Sequence, residues 1–320
     1  MSSFHKLEEL RPETLKSFDR ERTIFFVTVS PLENHGNHLP YGTDIFEGEG
    51  ISKAIAEKLI IDKPDWNIVF CQPITLGFGT MPGFGSINIR QSVVRDFLKD
   101  YFSGIAKLGF KFIFVSGFHG NPKHLTAVDE AIVFVNKKYK AKIISPFGYS
   151  FMNVFSGREK IPSEEINAIF KKNKYDIHGG IFETSLVMYL RPDLVKGNEN
   201  QKEINLSIKN PLKKIKAVKD AFSNGYFGNP AEASQDIGKK LLDDIIGLFY
   251  NVLINTIEEE GYYKKVRNIF YYHPYTRTGF LKKASFLLAS ISLPILFVMK
   301  KNKNPEIEKL FLKFFKNTDK

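Results

Sequence analysis

Residues 31–44, PLENHGNHLPYGTD, gather Glu33, His35, His38 and Asp44 within fourteen positions, directly after an apolar run. Carboxylate and imidazole are the ligands that Zn²⁺, Mn²⁺ and Fe²⁺ accept in a mixed oxygen and nitrogen shell. Glu33 and His35, two apart, point the same way from an extended segment. Gly36 and Gly42 permit turns that bring Asp44 back towards them. Taken singly, each of these groups can be a helix cap or a decorated loop. Four together at a strand end form a candidate metal centre.

Two further stretches carry chemistry. VSGFHGNPKH (115–124) holds His119 and His124 after another apolar run. YDIHGGIFETSLVMYLRPDLV (175–195) holds Asp176, His178 and Glu183. His178 precedes a Gly-Gly turn and a helix, a position for a proton-transferring imidazole, whose ordinary pKa of about 6.5 suits transfer in both directions. Glu183 falls in the first turn of that helix, where the macrodipole also favours a carboxylate.

The elements that must position these groups alternate in type. RTIFFVTVS (22–30), NIVFCQ (67–72), KFIFVSG (111–117) and AKIISPF (141–147) are β-branched and aromatic runs, as strands buried on both faces require. Between them, EGEGISKAIAEKLI (47–60), 92–107 and about 124–138 have helical apolar spacing, and a long amphipathic helix is expected over about 231–259. The alternation predicts an α/β fold, a three-layer α/β/α sandwich around a mostly parallel sheet. In such sheets the working groups sit on loops beyond the carboxyl ends of the strands, where Glu33, His35 and His119 fall.

Composition narrows the class. Of 320 residues, 43% are hydrophobic and 25% charged, which excludes a disordered or fibrous chain. The lone cysteine, Cys71, excludes a disulfide framework and a Cys-rich zinc site, and is compatible with a reducing, cytoplasmic setting. The polar N-terminus, MSSFHKLEELRPETLKSFDRE, shows no secretory signal. Of the net charge of +11, +10 comes from residues 261–320, with thirteen Lys/Arg against three acids. The body, 1–260, is therefore near neutral, and no nucleic-acid-reading motif accompanies the basic tail.

At these residues the chain resembles the creatininase (creatinine amidohydrolase) family. ENHGNHLPYGTD is similar to its E-x-H-G-x-H-L-P-x-x-T-D signature, and HGGIFETSLVMYLRPDLV resembles its H-A/G-G-x-x-E-T-S segment. FGNPAEASQDIGKKLL (227–242) resembles a later helix start, so the likeness runs in order over about residues 5–260. The resemblance implies a metal-dependent hydrolase of C–N bonds in small cyclic or linear amides, assembled as a homo-oligomer. It implies Glu33, His35 and Asp44 as ligands of one or two divalent ions (Zn, Mn or Fe), Asp44 bridging, His178 beside the substrate, and Glu183 as a ligand or close to one.

Two departures from the family pattern stand out. Where the family reads N-G-H-x-x-N, this chain reads SGFHGN (116–121), with Phe118 at the ligand position and His119 one residue later. On a strand that offset would turn the side chain to the opposite face; in a loop beyond the strand, His119 can still reach the metal, and it is taken as the ligand. The Pro-Gly-Thr loop of the family is replaced by PGFGS within TLGFGTMPGFGSINI (75–89).

Beyond residue 260 a Tyr-rich basic stretch leads to ASFLLASISLPILFVM (284–299), sixteen residues without a charge, and then to a basic, Phe-rich end. The sequence divides as 1–260 and a helical extension over 261–320, with the boundary between 260 and 280. The run at 284–299 is short for a bilayer span and contains Pro294. With its lysine flanks it suits an anchor on an anionic membrane surface, peripheral to the inner face. A non-catalytic binding or scaffold protein, tethered through the same extension, is the alternative function.

Overall fold

The structure, a computed structural model, describes residues 4–280 apart from 174, 175, 207 and 209. In chain order its strands are β1 (Phe4–Lys6), β2 (Thr23–Ser30), β3 (Asn67–Phe70), β4 (Ile74–Thr75), β5 (Phe112–Ser116) and β6 (Lys142–Ile144). The helices are α1 (Pro12–Ser17), α2 (Thr43–Asp62), α3 (Gln91–Ala106), α4 (Pro122–Tyr139), α5 (Pro146–Phe155), α6 (Glu164–Lys172), α7 (Ile181–Leu190), α8 (Pro211–Asn224) and α9 (Gln235–Glu258). The sheet order is β1-β3-β2-β5-β6, with β4 pairing on the end of β2, and every strand pair is parallel.

The alternation of side chains along each strand explains the continuous apolar runs. Ile24 and Phe26 of β2, with Phe112 and Phe114 of β5, enter one core, which contains Ile51 and Ile55 of α2 and Leu242 and Phe249 of α9. Phe25, Val27 and Val29, with Ile113 and Val115, enter the opposite core, against Leu98 and Phe102 of α3 and Ala131 and Val135 of α4. Each fully buried Phe or Ile contributes roughly 1.5–3 kcal/mol of transfer free energy. Strands facing two cores have no polar side, hence their unbroken hydrophobicity. The three-layer parallel architecture expected from the sequence is the one observed.

From β2 the chain moves to β3 on one side and returns to β5 on the other. The crevice at the ends of β2 and β5 is therefore the topological switch point of the sheet.

Two boundaries differ from the sequence reading. Helix α2 begins at Thr43, four residues before the expected start, because Ile45 N and Phe46 N both donate to Gly42 O at 3.0 Å. Asp44 thus lies in the first turn of a helix and not in the loop. Helix α9 begins at Gln235, since Pro230–Glu232 forms a separate 3-10 turn and Ser234 Oγ accepts from Ile237 N at 3.2 Å.

The compact unit continues through Thr278, within the 260–280 interval in which the sequence puts the boundary. Asn268 N and Nδ2 donate to the buried Asp129 carboxylate of α4 at 2.8 and 2.5 Å, Arg277 pairs with Glu130 at 2.8 Å, and Val266 is fully buried. The apolar run at 284–299, on which the membrane reading rests, lies outside the described residues. Among the described residues no helix is long and apolar enough to cross a membrane.

Candidate metal centre

The loop after β2 delivers Glu33 and His35, both 1% exposed, into the switch-point crevice, where they meet Asp44, also 1% exposed. His35 Nδ1 bonds the Glu33 carbonyl at 3.1 Å, which leaves Nε2 facing Asp44 Oδ1 at 3.0 Å and Glu183 Oε2 at 3.7 Å. On the other side of Asp44, His119 Nδ1 lies 2.6 Å from Glu33 Oε1 and 3.5 Å from Asp44 Oδ2. The Asp44 carboxylate thus stands between two imidazoles, one oxygen facing each. Its neighbours form two ligand-capable sets, Glu33–Asp44–His119 and His35–Asp44–Glu183, with Glu33–His35–His178 as a third.

His119 reaches this position because β5 ends at Ser116. A Cβ on Gly117 would lie 2.3 Å from Val29 O, so the glycine lets the chain pass against β2 as it leaves the sheet. Strand alternation no longer governs residues 118 and 119. Phe118 packs its ring 4.6 Å from that of Phe147, and His119 turns to the carboxylates. The Gly-rich loop fixes the pair from outside: His119 Nε2 bonds Phe78 O at 2.9 Å, and Met81 N donates to Glu33 Oε2 at 2.6 Å. Gly79, at φ +75, makes this possible, since a Cβ there would lie 2.0 Å from Asn121 Nδ2.

The third motif is tied to the first. His178 Nε2 donates to Asn34 O at 2.8 Å, which leaves Nδ1 on the side of Glu183 Oε2, 4.0 Å away. The His178 ring packs on that of His35 with centroids 4.1 Å apart. Glu183 accepts from Gly179 N, in the first turn of α7. His38, next to this cluster, bonds Gly179 O and Thr184 Oγ1 at 3.0 and 3.1 Å, so it pins the two loops together. Asp176 is a brace of similar kind, accepting from Ile181 N at 2.9 Å and Asn229 N at 3.0 Å. His124 is buried in α4, where Phe78 N approaches its Nδ1 at 3.5 Å.

The electrostatics of the cluster are set by carboxylates and imidazoles buried against one another. Burial works against protonating His35 and His119, but the carboxylates outweigh it and hold them up at about 9 and about 10. Burial likewise works against ionising Asp44, yet the two imidazoles keep it well below the usual range. Burial and the charge of Asp44 raise Glu183 to about 8, against the opposing pull of His35. Burial, then the charge of His35, lowers His178 to about 3, so it is neutral in the resting site. Glu33 Oε1 and Asp44 Oδ2, both buried, share one imidazole nitrogen, His119 Nδ1, at 2.6 and 3.5 Å. Buried carboxylates crowded around a few shared imidazole nitrogens are a mixed oxygen and nitrogen donor set that fits a divalent ion.

The sequence reading passed over Glu47. It is fully buried, neither carboxylate oxygen has a hydrogen-bond partner, and burial, then Glu183 and Asp44, push its pKa well up. One turn after Asp44 on α2, it shares that residue's helix face. The signal was the i, i+3 spacing, hidden because the helix was started at Glu47 itself.

A parallel α/β sandwich with carboxylates and imidazoles converging on its switch point has the build of a metal-ligand hydrolase centre. Comparison with known proteins gives the family: the model described as Creatininase: Creatinine amidohydrolase matches residues 8–253, and the chain belongs to this family. A Mycolicibacterium smegmatis mycofactocin precursor peptide peptidase is 24% identical over 233 residues, covering 70% of this chain and 81% of that protein. Among solved structures, a creatinine amidohydrolase (creatininase) aligns with a TM-score of 0.63 at 16% identity, over 79% of this chain and 98% of its own. A creatininase described with Mn gives 0.61 at 16% over 81% and 100%, and a substituted creatininase of Zn–Zn type gives 0.61 at 15% over 80% and 100%. At these identities the structures speak for the fold.

Proposed function

We propose that the chain hydrolyses the C–N bond of a cyclic or linear amide, using one or two divalent ions held by Glu33, His35, Asp44, His119 and Glu183. The observation that carries this reading is the Asp44 carboxylate between His35 and His119, shared by two ligand-capable sets. Zn²⁺ and Mn²⁺ are the ions of choice, since relatives are described with them. A divalent ion held there supplies Lewis acidity, which makes water nucleophilic near neutral pH and polarises the amide carbonyl.

The chain's own groups do the rest. Glu33 is oriented by the Met81 amide and His119 by the Phe78 carbonyl, so neither must reorganise during reaction. His178, neutral and with Nε2–H given to Asn34, offers the Nδ1 lone pair to the crevice. It takes a proton there from the attacking water and returns it to the leaving nitrogen. The water oxygen bonds to the carbonyl carbon, the C–N bond breaks, and acid and amine are released. Neutral at rest, His178 has to take up a proton before it can give one to the leaving nitrogen.

The position of His119, 2.6 Å from Glu33, favours this reading over a non-catalytic scaffold, whose main ground is the displaced histidine. The test is amide hydrolysis by protein reconstituted with Mn²⁺ or Zn²⁺, beside Asp44→Ala. Metal-dependent turnover that disappears in the variant supports the reading; equal turnover in both, or none with any amide, ends it.

A further inference from the structure

The metal-ligand cluster forms one end of a cavity of about 580 Å³. That lies within the roughly 300–1,000 Å³ of pockets that take drug-sized ligands, and far exceeds what a small cyclic amide fills. Beyond Glu33, Asp44, His119, His178 and Glu183 the wall is mostly apolar, with nine phenylalanines among the lining residues beside the polar Thr80, Asn121, Ser150, Asp176 and Asp244. Phe118 comes from the loop after β5, Phe147 and Phe151 from α5, Phe170 from α6, Phe182 from α7 and Phe249 from α9. A small polar substrate would leave most of this surface in contact with water. Burying apolar area here gains binding energy only with an apolar group attached to the scissile amide.

We propose that the substrate is an amide bearing a large apolar arm, of the size of a medium-length alkyl chain, which lies along this phenylalanine-lined cavity with its C–N bond at the ligand cluster. The inference rests on the amidohydrolase reading and names its substrate class. The arm supplies affinity without touching the reacting atoms, and its fixed placement converts that affinity into alignment of the carbonyl. Met152 and Val154, on α5, complete the apolar wall.

Two measurements on the full-length chain test it. The first is binding of acetate, hexanoate and decanoate to the Mn²⁺-loaded protein by calorimetry. Affinity should rise by up to about fourfold per methylene, and at least tenfold from hexanoate to decanoate. The second is hydrolysis of acetamide, decanamide and N-decylacetamide, in which one of the long amides should exceed acetamide at least about hundredfold in kcat/KM. Met152→Glu, which sets a carboxylate into the wall, should cut the long-to-short ratio at least tenfold; a ratio does not depend on how much variant folds. Affinity and turnover independent of chain length would overturn the inference and leave amide hydrolysis standing. Length-dependent binding with no amide cleaved would overturn the hydrolase reading and support the apolar subsite alone.

Discussion

His119 Nδ1 lies 2.6 Å from Glu33 Oε1, although the sequence places a phenylalanine where the family pattern expects the ligand histidine. The loop restores by conformation what the residue order displaces. Because β5 stops at Ser116, neighbouring residues 118 and 119 divide the tasks, one packing on Phe147 and one facing the carboxylates.

Metal binding should release protons. His35 and His119, held up at about 9 and about 10 by adjacent carboxylates, are protonated in the metal-free site at neutral pH, and each must lose its proton to ligate. Affinity therefore rises with pH below about 9, by about tenfold per pH unit for each proton expelled. Calorimetry in two buffers of different ionisation enthalpy counts the protons. A count of zero would mean that these imidazoles are not ligands.

His178→Ala should keep its metal and lose about 10²–10⁴-fold in kcat, the usual worth of a positioned proton-transfer group. Metal content and turnover measured on one preparation separate this from a folding defect. Unchanged kcat would remove the role of Nδ1.

Gly79→Ala should weaken metal binding from outside the ligand set. Gly79 has φ +75, and a Cβ would meet the Asn121 amide at 2.0 Å, so the substitution costs upward of about 1 kcal/mol and shifts the backbone that carries Phe78 O and Met81 N. Metal titration should show at least a tenfold loss of affinity, in the range usual for groups that orient ligands. Wild-type affinity would show that the Gly-rich loop does not support the centre.

Asp129 gives a pH dependence away from the metal. Burial raises its pKa from 3.8 to about 6, against the opposing effect of Arg267 and the Asn268 hydrogen bonds. A folded pKa above the unfolded value means that the folded chain holds the proton more tightly. The stability contributed is full below about pH 4 and is lost as pH rises through about 6, an effect of about 3 kcal/mol. Asp129→Asn lacks this titration, so its stability relative to wild type should improve by about that amount between pH 4 and pH 7. Denaturant midpoints at the two pH values check it; a constant difference would contradict the shift.

Much of this molecule is written in local pattern, and the remainder in contacts that pattern does not carry. Strands β2 and β5 are legible because both faces are buried, leaving no polar alternation. The motif residues are legible because glutamate, histidine and aspartate are costly to bury without a partner or an ion. Strand β1 (Phe4–Lys6) is not legible: three residues with an exposed, polar surround pair only because β3 offers an edge. The packing of 261–278 depends on Asn268 meeting Asp129, 139 positions earlier. The start of α2 was misread through its glycines, and with it the shared face of Asp44 and Glu47. The cavity was invisible because α5, α6, α7 and α9 each contribute a few residues that look like ordinary core when read alone.

The central claim is a metal centre that includes the displaced histidine, and metal content per chain tests it most directly. Wild-type protein and His119→Ala, purified without chelator and offered Zn²⁺ or Mn²⁺, should differ. The account predicts one or two ions per wild-type chain, halved or lost in the variant. No ion in the wild type, or equal content in both, would contradict it.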